Sequence, residues 1–172
     1  KKTLSYKELI ENTIGDILPV RLENRSLRWF FTPTKALVFL MGMEYMLMTM
    51  IDQPDKFNQL LNRICKEMIN HLRWQEEEGL LTLNNENHYI GSGSYGFTDQ
   101  LPASEICDSQ KVKSRDLWGN INSQESVGIN PEMFGNMIFP YYKKLSEEFG
   151  LIYYGCCEPV HDIWDDYVSK LT

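Results

Sequence analysis

Cysteine is scarce in this chain, four in 172 residues, so no disulfide framework of the kind that staples small secreted domains is implied. Two of the four, Cys156 and Cys157, are adjacent. Their Cα atoms sit about 3.8 Å apart, closer than ordinary disulfide geometry allows. Free thiols in a reducing cytoplasm are the simplest reading, and a cytoplasmic location is expected. Positive charge is short as well: 17 Lys and Arg against 24 Asp and Glu leave a net charge of −7. That balance argues against broad binding to nucleic acid or to an anionic membrane, and neither partner is expected. No charged segment leads into an apolar run and cleavage site, so no signal peptide is visible. The most apolar stretch, 36–51, is Met-rich and interrupted by Glu44, too short and too polar for a membrane span. No internal repeat, low-complexity segment or linker divides the chain, so residues 1–172 are read as one domain. The first residues, Lys1-Lys2-Thr3, include no Met, which points to a missing N-terminus.

What is present alternates between strand and helix patterns. Asp16 to Glu23 ("DILPVRLE") reads as a strand. The segment 32–51 starts with Thr32 as N-cap and Pro33 at the first helical position. A second helix restarts at Pro54, with Phe57, Leu60, Leu61, Ile64, Cys65, Met68, Ile69 and Leu72 on one face and Gly79 as its stop. The acid run Glu76-Glu77-Glu78 reads as a solvated helix end. Leu80 to Asn85 reads as a strand, and "SRDLWGNINSQES" (114–126) as a strand running into a loop. A helix follows with Asn130 as N-cap, Pro131 at the first position and Gly150 at its end, kinked at Pro140. "GLIYYGCCE" (150–158) is the last strand and "VHDIWDDYVSKLT" the last helix. This order predicts an α/β fold with an unfinished parallel sheet.

Four stretches contain candidate chemistry. "GSGSYG" (Gly91, Gly93, Gly96) matches G-x-G-x-x-G, but the dinucleotide fingerprint needs a helix after it to meet pyrophosphate, and none opens at the third glycine. A flexible loop over a pocket, with Tyr95 and Phe97 as lid side chains, is the expected alternative. Asn24 begins a glycosylation sequon, without meaning in a chain that shows no signal peptide. "DLWGNINSQE" places Trp118, Asn120, Asn122, Ser123, Gln124 and Glu125 at a strand end and the loop beyond it, where parallel folds hold ligands. "YYGCCEPVH" has the same form. If its strand persists, Cys156 and Glu158 point the same way, and His161 follows; these are metal-ligand types, short of the three or four ligands zinc requires. The bland alternative is two buried cysteines with a carboxylate capping the next segment.

Residues 129–159 ("INPEMFGNMIFPYYKKLSEEFGLIYYGCCEP") resemble the C-terminal half of the uroporphyrinogen decarboxylase superfamily. There a P-x-x-F segment opens a helix, a Pro interrupts it, and the next strand ends in the active site. Residues 41–64 ("MGMEYMLMTMIDQPDKFNQLLNRI") resemble its helix-Pro-helix segment. The resemblance implies part of a TIM-type (β/α)8 barrel with about half the strands present, although 172 residues are few for a closed barrel of about 250. It implies a zinc-thiolate methyltransferase working with a corrinoid or thiol acceptor, or else a tetrapyrrole carboxylate decarboxylase; a non-catalytic binding barrel is the third reading. Zinc would lower a thiol pKa and present a thiolate at neutral pH. Cys156 matches the Cys of the superfamily's His-x-Cys zinc pair, with Tyr154 where the His would be. The decarboxylase's Arg-rich N-terminal signature has no counterpart, leaving Arg25, Arg28 and Arg115 as candidate cations.

The expected site therefore has Glu158, Gln124 and Glu125 as catalytic groups and Tyr95, Trp118, Asn120 and Arg115 as substrate contacts. Cys156, Glu158 and His161 are its candidate metal ligands. Zinc is the expected cofactor, with a corrinoid carried by a partner protein. Open sheet edges are expected to pair with a second copy.

Overall fold

The computed structural model describes residues 2–22, 31–105 and 110–171. Helix α1 (Lys2–Ile14) buries none of its residues. Helices α2 (Pro33–Met41) and α3 (Met43–Asp52) follow, then the long α4 (Pro54–Glu77). Strands β1 (Glu86–Gly91) and β2 (Ser94–Phe97) form an antiparallel hairpin. Strand β3 (Trp118–Ile121), helices α5 (Pro131–Met137) and α6 (Phe139–Ser146), and strand β4 (Leu151–Tyr154) complete the regular elements, with short 3-10 turns between and after them.

The expected half barrel is not what forms. The described residues hold two sheets of two strands each, β1–β2 and β3–β4. Of the four expected strands, only those around Trp118 and Leu151 appear, paired in parallel from Trp118↔Leu151 to Ile121↔Tyr154. Residues 16–22 are turn and coil, and Glu23 lies outside the described residues; Pro19 in that run removes a ladder donor. Residues 80–85 form no strand. Asn84 instead uses its side-chain amide as a one-residue strand: Trp118 N–H donates to its Oδ1 and its Nδ2 donates to the Trp118 carbonyl, both at 2.9 Å. Asn24, Arg25 and Arg28 also lie outside the described residues.

The helical punctuation follows the residues closely. Phe57, Leu61, Cys65, Met68 and Leu72 are the buried face of α4. Past its end Gly79 sits at φ +66; Leu80 N–H bonds the Gln75 carbonyl and Gly79 N–H the Glu76 carbonyl, the two bonds of a Schellman stop. Asn130 caps α5, its side chain accepting from Met133 N–H at 2.8 Å. The break between α5 and α6 falls at Ile138, and Pro140 lies in the first turn of α6, where its missing N–H costs no helical hydrogen bond. The single helix expected over 32–51 is two, bent by 104°. The cause is Gly42 at φ 82, ψ 158, a backbone region that only glycine enters cheaply. Among the described residues no single helix is long and apolar enough to cross a membrane. The final expected helix is two 3-10 turns, His161–Ile163 and Val168–Lys170.

The core joins α2–α4, α5 and α6 to one face of β3. Phe31, Leu37, Met46, Phe57, Leu61, Leu72, Ile121, Ile138, Tyr142 and Leu145 are all within 1 % of full burial. Each large apolar side chain contributes about 1.5–3 kcal/mol relative to exposure. Phe31 also bridges Ile121 in parallel and sets its ring edge-on to Phe149, 4.9 Å between centroids.

The acid run at the end of α4 is not uniformly solvated. Glu76 Oε1 accepts from both the backbone N–H (2.7 Å) and hydroxyl (2.6 Å) of Ser114, and its other oxygen pairs with Arg73 at 3.0 Å. Burial alone would raise this carboxyl; the Ser114 hydrogen bonds and Arg73 outweigh it and hold the group below the ordinary value. A depressed folded pKa means stability that is complete above the ordinary glutamate range, about 4.3, and lost as pH falls through the folded value. Glu76→Gln should lower the urea midpoint at neutral pH, and the gap to the parent should shrink as pH falls below about 4. Gly42→Ala should destabilise by about 1–3 kcal/mol in the same titration, although a Cβ there meets nothing within 4 Å.

Candidate functional site

The C-terminal ends of β3 and β4 lie side by side because the two strands are parallel and in register. Beyond β3 the chain becomes a buried polar turn. Asn122 and Ser123 are 3 % and 1 % exposed and Ser126 is 7 %. Tyr142, wholly buried on α6, donates to the Asn122 carbonyl at 2.8 Å and lies 2.8 Å from the Thr34 hydroxyl at the start of α2. Thr34 in turn donates to Glu125 Oε2 at 2.9 Å. Ser123 and Ser126 hydroxyls meet at 2.8 Å, and Ser126 donates to the Ser123 carbonyl at 2.6 Å. Burial pushes the Tyr142 hydroxyl far above its ordinary range, so it is neutral and available as a donor.

Beyond β4, Gly155 at φ +126 turns the chain out of the strand. The alternation expected to place Cys156 and Glu158 on one face therefore stops at Tyr154. Glu158 folds back: Oε2 accepts from Cys156 N–H at 2.8 Å and Oε1 from Ser123 N–H at 3.2 Å. Its carboxylate joins the two strand ends through backbone donors instead of pairing with the Cys156 thiol. Cys156 Sγ lies 3.5 Å from Ser92 Oγ in the hairpin turn and 3.7 Å from Cys157 Sγ. Cys156 is half-buried and Cys157 exposed. The Cys156 thiol beside it pushes the Cys157 thiol up.

A recess lies on one side of this junction and a hairpin on the other. On the helical side is a cavity of about 100 Å³, its walls including Ser123, Ser126, Phe134, Tyr154, Glu158 and Asp162. Burial, then the Glu158 and Glu125 carboxylates, push the Tyr154 hydroxyl well above its ordinary range. Among the described residues no Lys or Arg lines this cavity. On the opposite face the hairpin covers β3 and β4. A Cβ on Gly91 would fall 2.2 Å from the Tyr153 ring and 2.8 Å from Asn120 Nδ2, and one on Gly96 would fall 3.1 Å from Trp118 Nε1. The glycines of "GSGSYG" thus serve close backbone approach, with Gly93 in the turn at φ +73, where a lid loop was expected. Under this cover, both polar side-chain atoms of Asn120 and Trp118 Nε1 are buried without a hydrogen-bond partner among the described residues, as is Asn122 Nδ2 just past β3.

The expected site residues therefore separate. Glu158, Cys156, Asn120 and Trp118 converge on the junction or its hairpin face. Glu125 is tied to Thr34, and Gln124 is exposed beside it. Tyr95 and Phe97 are 65 % and 75 % exposed on the hairpin, Tyr95 set edge-on to Tyr89. Arg115 lies at the other end of the sheet, in a recess shared with Leu101, Phe149 and Leu151. His161 is exposed, 3.4 Å from the Asp162 carboxylate, and does not join Cys156 and Glu158. Among the described residues no three His, Cys, Asp or Glu side chains form a metal-holding group. With Glu158 taken up by backbone donors, the described residues around Cys156 do not make up the three or four ligands of a zinc site. Thr34, Ser126 and Tyr142 were not singled out in the sequence. The i, i+2, i+4 order of Trp118, Asn120 and Asn122 was the available signal for the polar face, whereas Tyr142 is 108 residues from Thr34 and left none.

No family model, curated protein or solved structure matches the chain.

Tyr142→Phe removes the hydroxyl shared by β3, α2 and α6 and leaves buried acceptors short of a donor. A loss of about 1–3 kcal/mol is expected, read from urea unfolding, with no change in the slope of the transition if the fold is retained.

Proposed function

We propose that this chain is part of a small-molecule enzyme of the uroporphyrinogen decarboxylase superfamily that transfers a methyl group, with its substrate held at the junction of β3 and β4. The observation that supports this reading is the polar hairpin face. Asn120 and Asn122 are each 3 % exposed yet carry polar atoms that no described residue satisfies, and the Cys156 thiol lies against Ser92 in the hairpin turn. Buried amides without partners are costly, and a ligand with both donors and acceptors would satisfy them. Asn120 would orient that ligand, Trp118 would supply its indole N–H, and Glu158 would hold the turn that presents Cys156. The hairpin would have to lift, since Gly91 lies against Asn120 and Tyr153.

No step is assigned to zinc, given the donor set. A corrinoid far exceeds the cavity of about 100 Å³, so it would approach on a partner protein and supply the methyl group from outside. The decarboxylase reading is weaker: it needs cations facing the substrate carboxylates, and Arg115 is at the far end of the sheet.

Methyl transfer from methylcobalamin to small thiols, followed by the corrinoid absorbance change, tests the reading with the purified protein. Turnover is expected, with Asn120→Ala raising KM about tenfold or more, the scale of one lost buried hydrogen bond, and Cys156→Ser lowering kcat. Wild-type turnover unchanged in Cys156→Ser would overturn the role of the thiol. Carbon dioxide release from uroporphyrinogen would overturn the choice of reaction.

A further inference from the structure

The paired thiols have a chemistry of their own, independent of the methyl-transfer reading. Cys156 Sγ and Cys157 Sγ are 3.7 Å apart, already in van der Waals contact, in a turn between Gly155 and Pro159. Cys157 is exposed, so a reagent reaches it directly, and Cys156 sits behind it, half-buried against Ser92. An exposed attacking thiol with a second thiol in contact behind it is the arrangement of a redox pair, in which the second resolves a bond formed on the first. Two thiols without a third ligand are, by contrast, too few for zinc.

We propose that Cys156 and Cys157 form a redox dithiol that reduces low-molecular-weight disulfides and closes to a disulfide between adjacent residues. The Cys157 thiolate attacks one sulfur of a disulfide RSSR; a Cys157–SR bond forms and RS⁻ leaves. The Cys156 thiolate then attacks the Cys157 sulfur, forming the Cys156–Cys157 bond and expelling the second RS⁻. Two electrons pass from the dithiol to RSSR, and the two protons released by the cysteines end on two RSH. A bond between adjacent residues lies outside ordinary disulfide spacing, so closure is driven by excess RSSR, and an added dithiol such as dithiothreitol reopens it. Closure also reorients the Cys156–Cys157 peptide, and with it the Cys156 N–H that Glu158 accepts. The thiol state is thereby coupled to the carboxylate that ties β4 to β3.

The other thiols leave this reaction readable. Cys65 is 3 % exposed and pushed up to about 12, chiefly by burial, and reacts slowly. Trypsin releases Leu145–Lys170, a peptide whose only cysteines are Cys156 and Cys157. The protein is incubated with oxidised glutathione, quenched with acid and digested. The expected wild-type peptide has lost two hydrogen atoms and carries no glutathione, and dithiothreitol restores its mass. Cys156→Ser should instead retain one glutathione on Cys157. Cys157→Ser should react at least about tenfold more slowly, because its remaining thiol is half-buried. A wild-type peptide that keeps a stable glutathione adduct, or that stays reduced while Cys156→Ser is modified, would overturn the proposal. So would equal reaction rates of the two variants. None of these outcomes depends on methyl transfer, so the two readings fail separately.

Discussion

One phenolic oxygen decides how the end of β3 is held. Tyr142 is wholly enclosed on α6, and its hydroxyl reaches the Asn122 carbonyl just past β3 and the Thr34 hydroxyl at the start of α2. Three elements that share no local sequence are thus fixed to a common point. From there the constraint spreads through Thr34 to Glu125 and through Ser123 to Ser126. The loop after β3 is therefore set by the helices behind it, and its backbone is in place to offer the Ser123 N–H to Glu158. A polar network enclosed this completely is stable only when its members satisfy one another, and that mutual dependence makes the strand end a fixed platform.

Glu158 extends the platform to the second strand. Its two oxygens take N–H donors from either side of the junction, Ser123 after β3 and Cys156 after β4. A two-stranded parallel sheet has few ladder bonds, and this carboxylate adds a tie where the ladder ends. The amide side chain of Asn84 does comparable work at Trp118. Side chains here complete what longer strands would supply by backbone alone.

Legibility in the sequence divided along physical lines. Helix boundaries were readable wherever a local rule acts alone: Pro54 and Gly79 around α4, Asn130 and Pro131 at α5, Pro140 in the first turn of α6. The bend at Gly42 was missed because an apolar run continues across it, and only the backbone conformation shows the break. The barrel was overread: runs such as 80–85 look like strands by composition, but no partner strand pairs with them. Cys156 and Glu158 were legible as residues following a real strand, and Trp118 and Asn120 as alternate residues along one. The expected alternation ends at Gly155, whose left-handed turn breaks the alignment of Cys156 with Glu158. His161 and Arg115 failed for a different reason: proximity in sequence, or a plausible charge, does not place a side chain at one end of a sheet.

The amide of Asn84 has one more consequence. By occupying both the N–H and the carbonyl of Trp118, it closes that stretch of the β3 border to any incoming extended chain. A peptide or neighbouring molecule seeking to lengthen the sheet there would first have to displace two hydrogen bonds made by a side chain already in place. The protein thus blocks strand invasion at this point with a single residue, needing neither a covering helix nor a repelling charge.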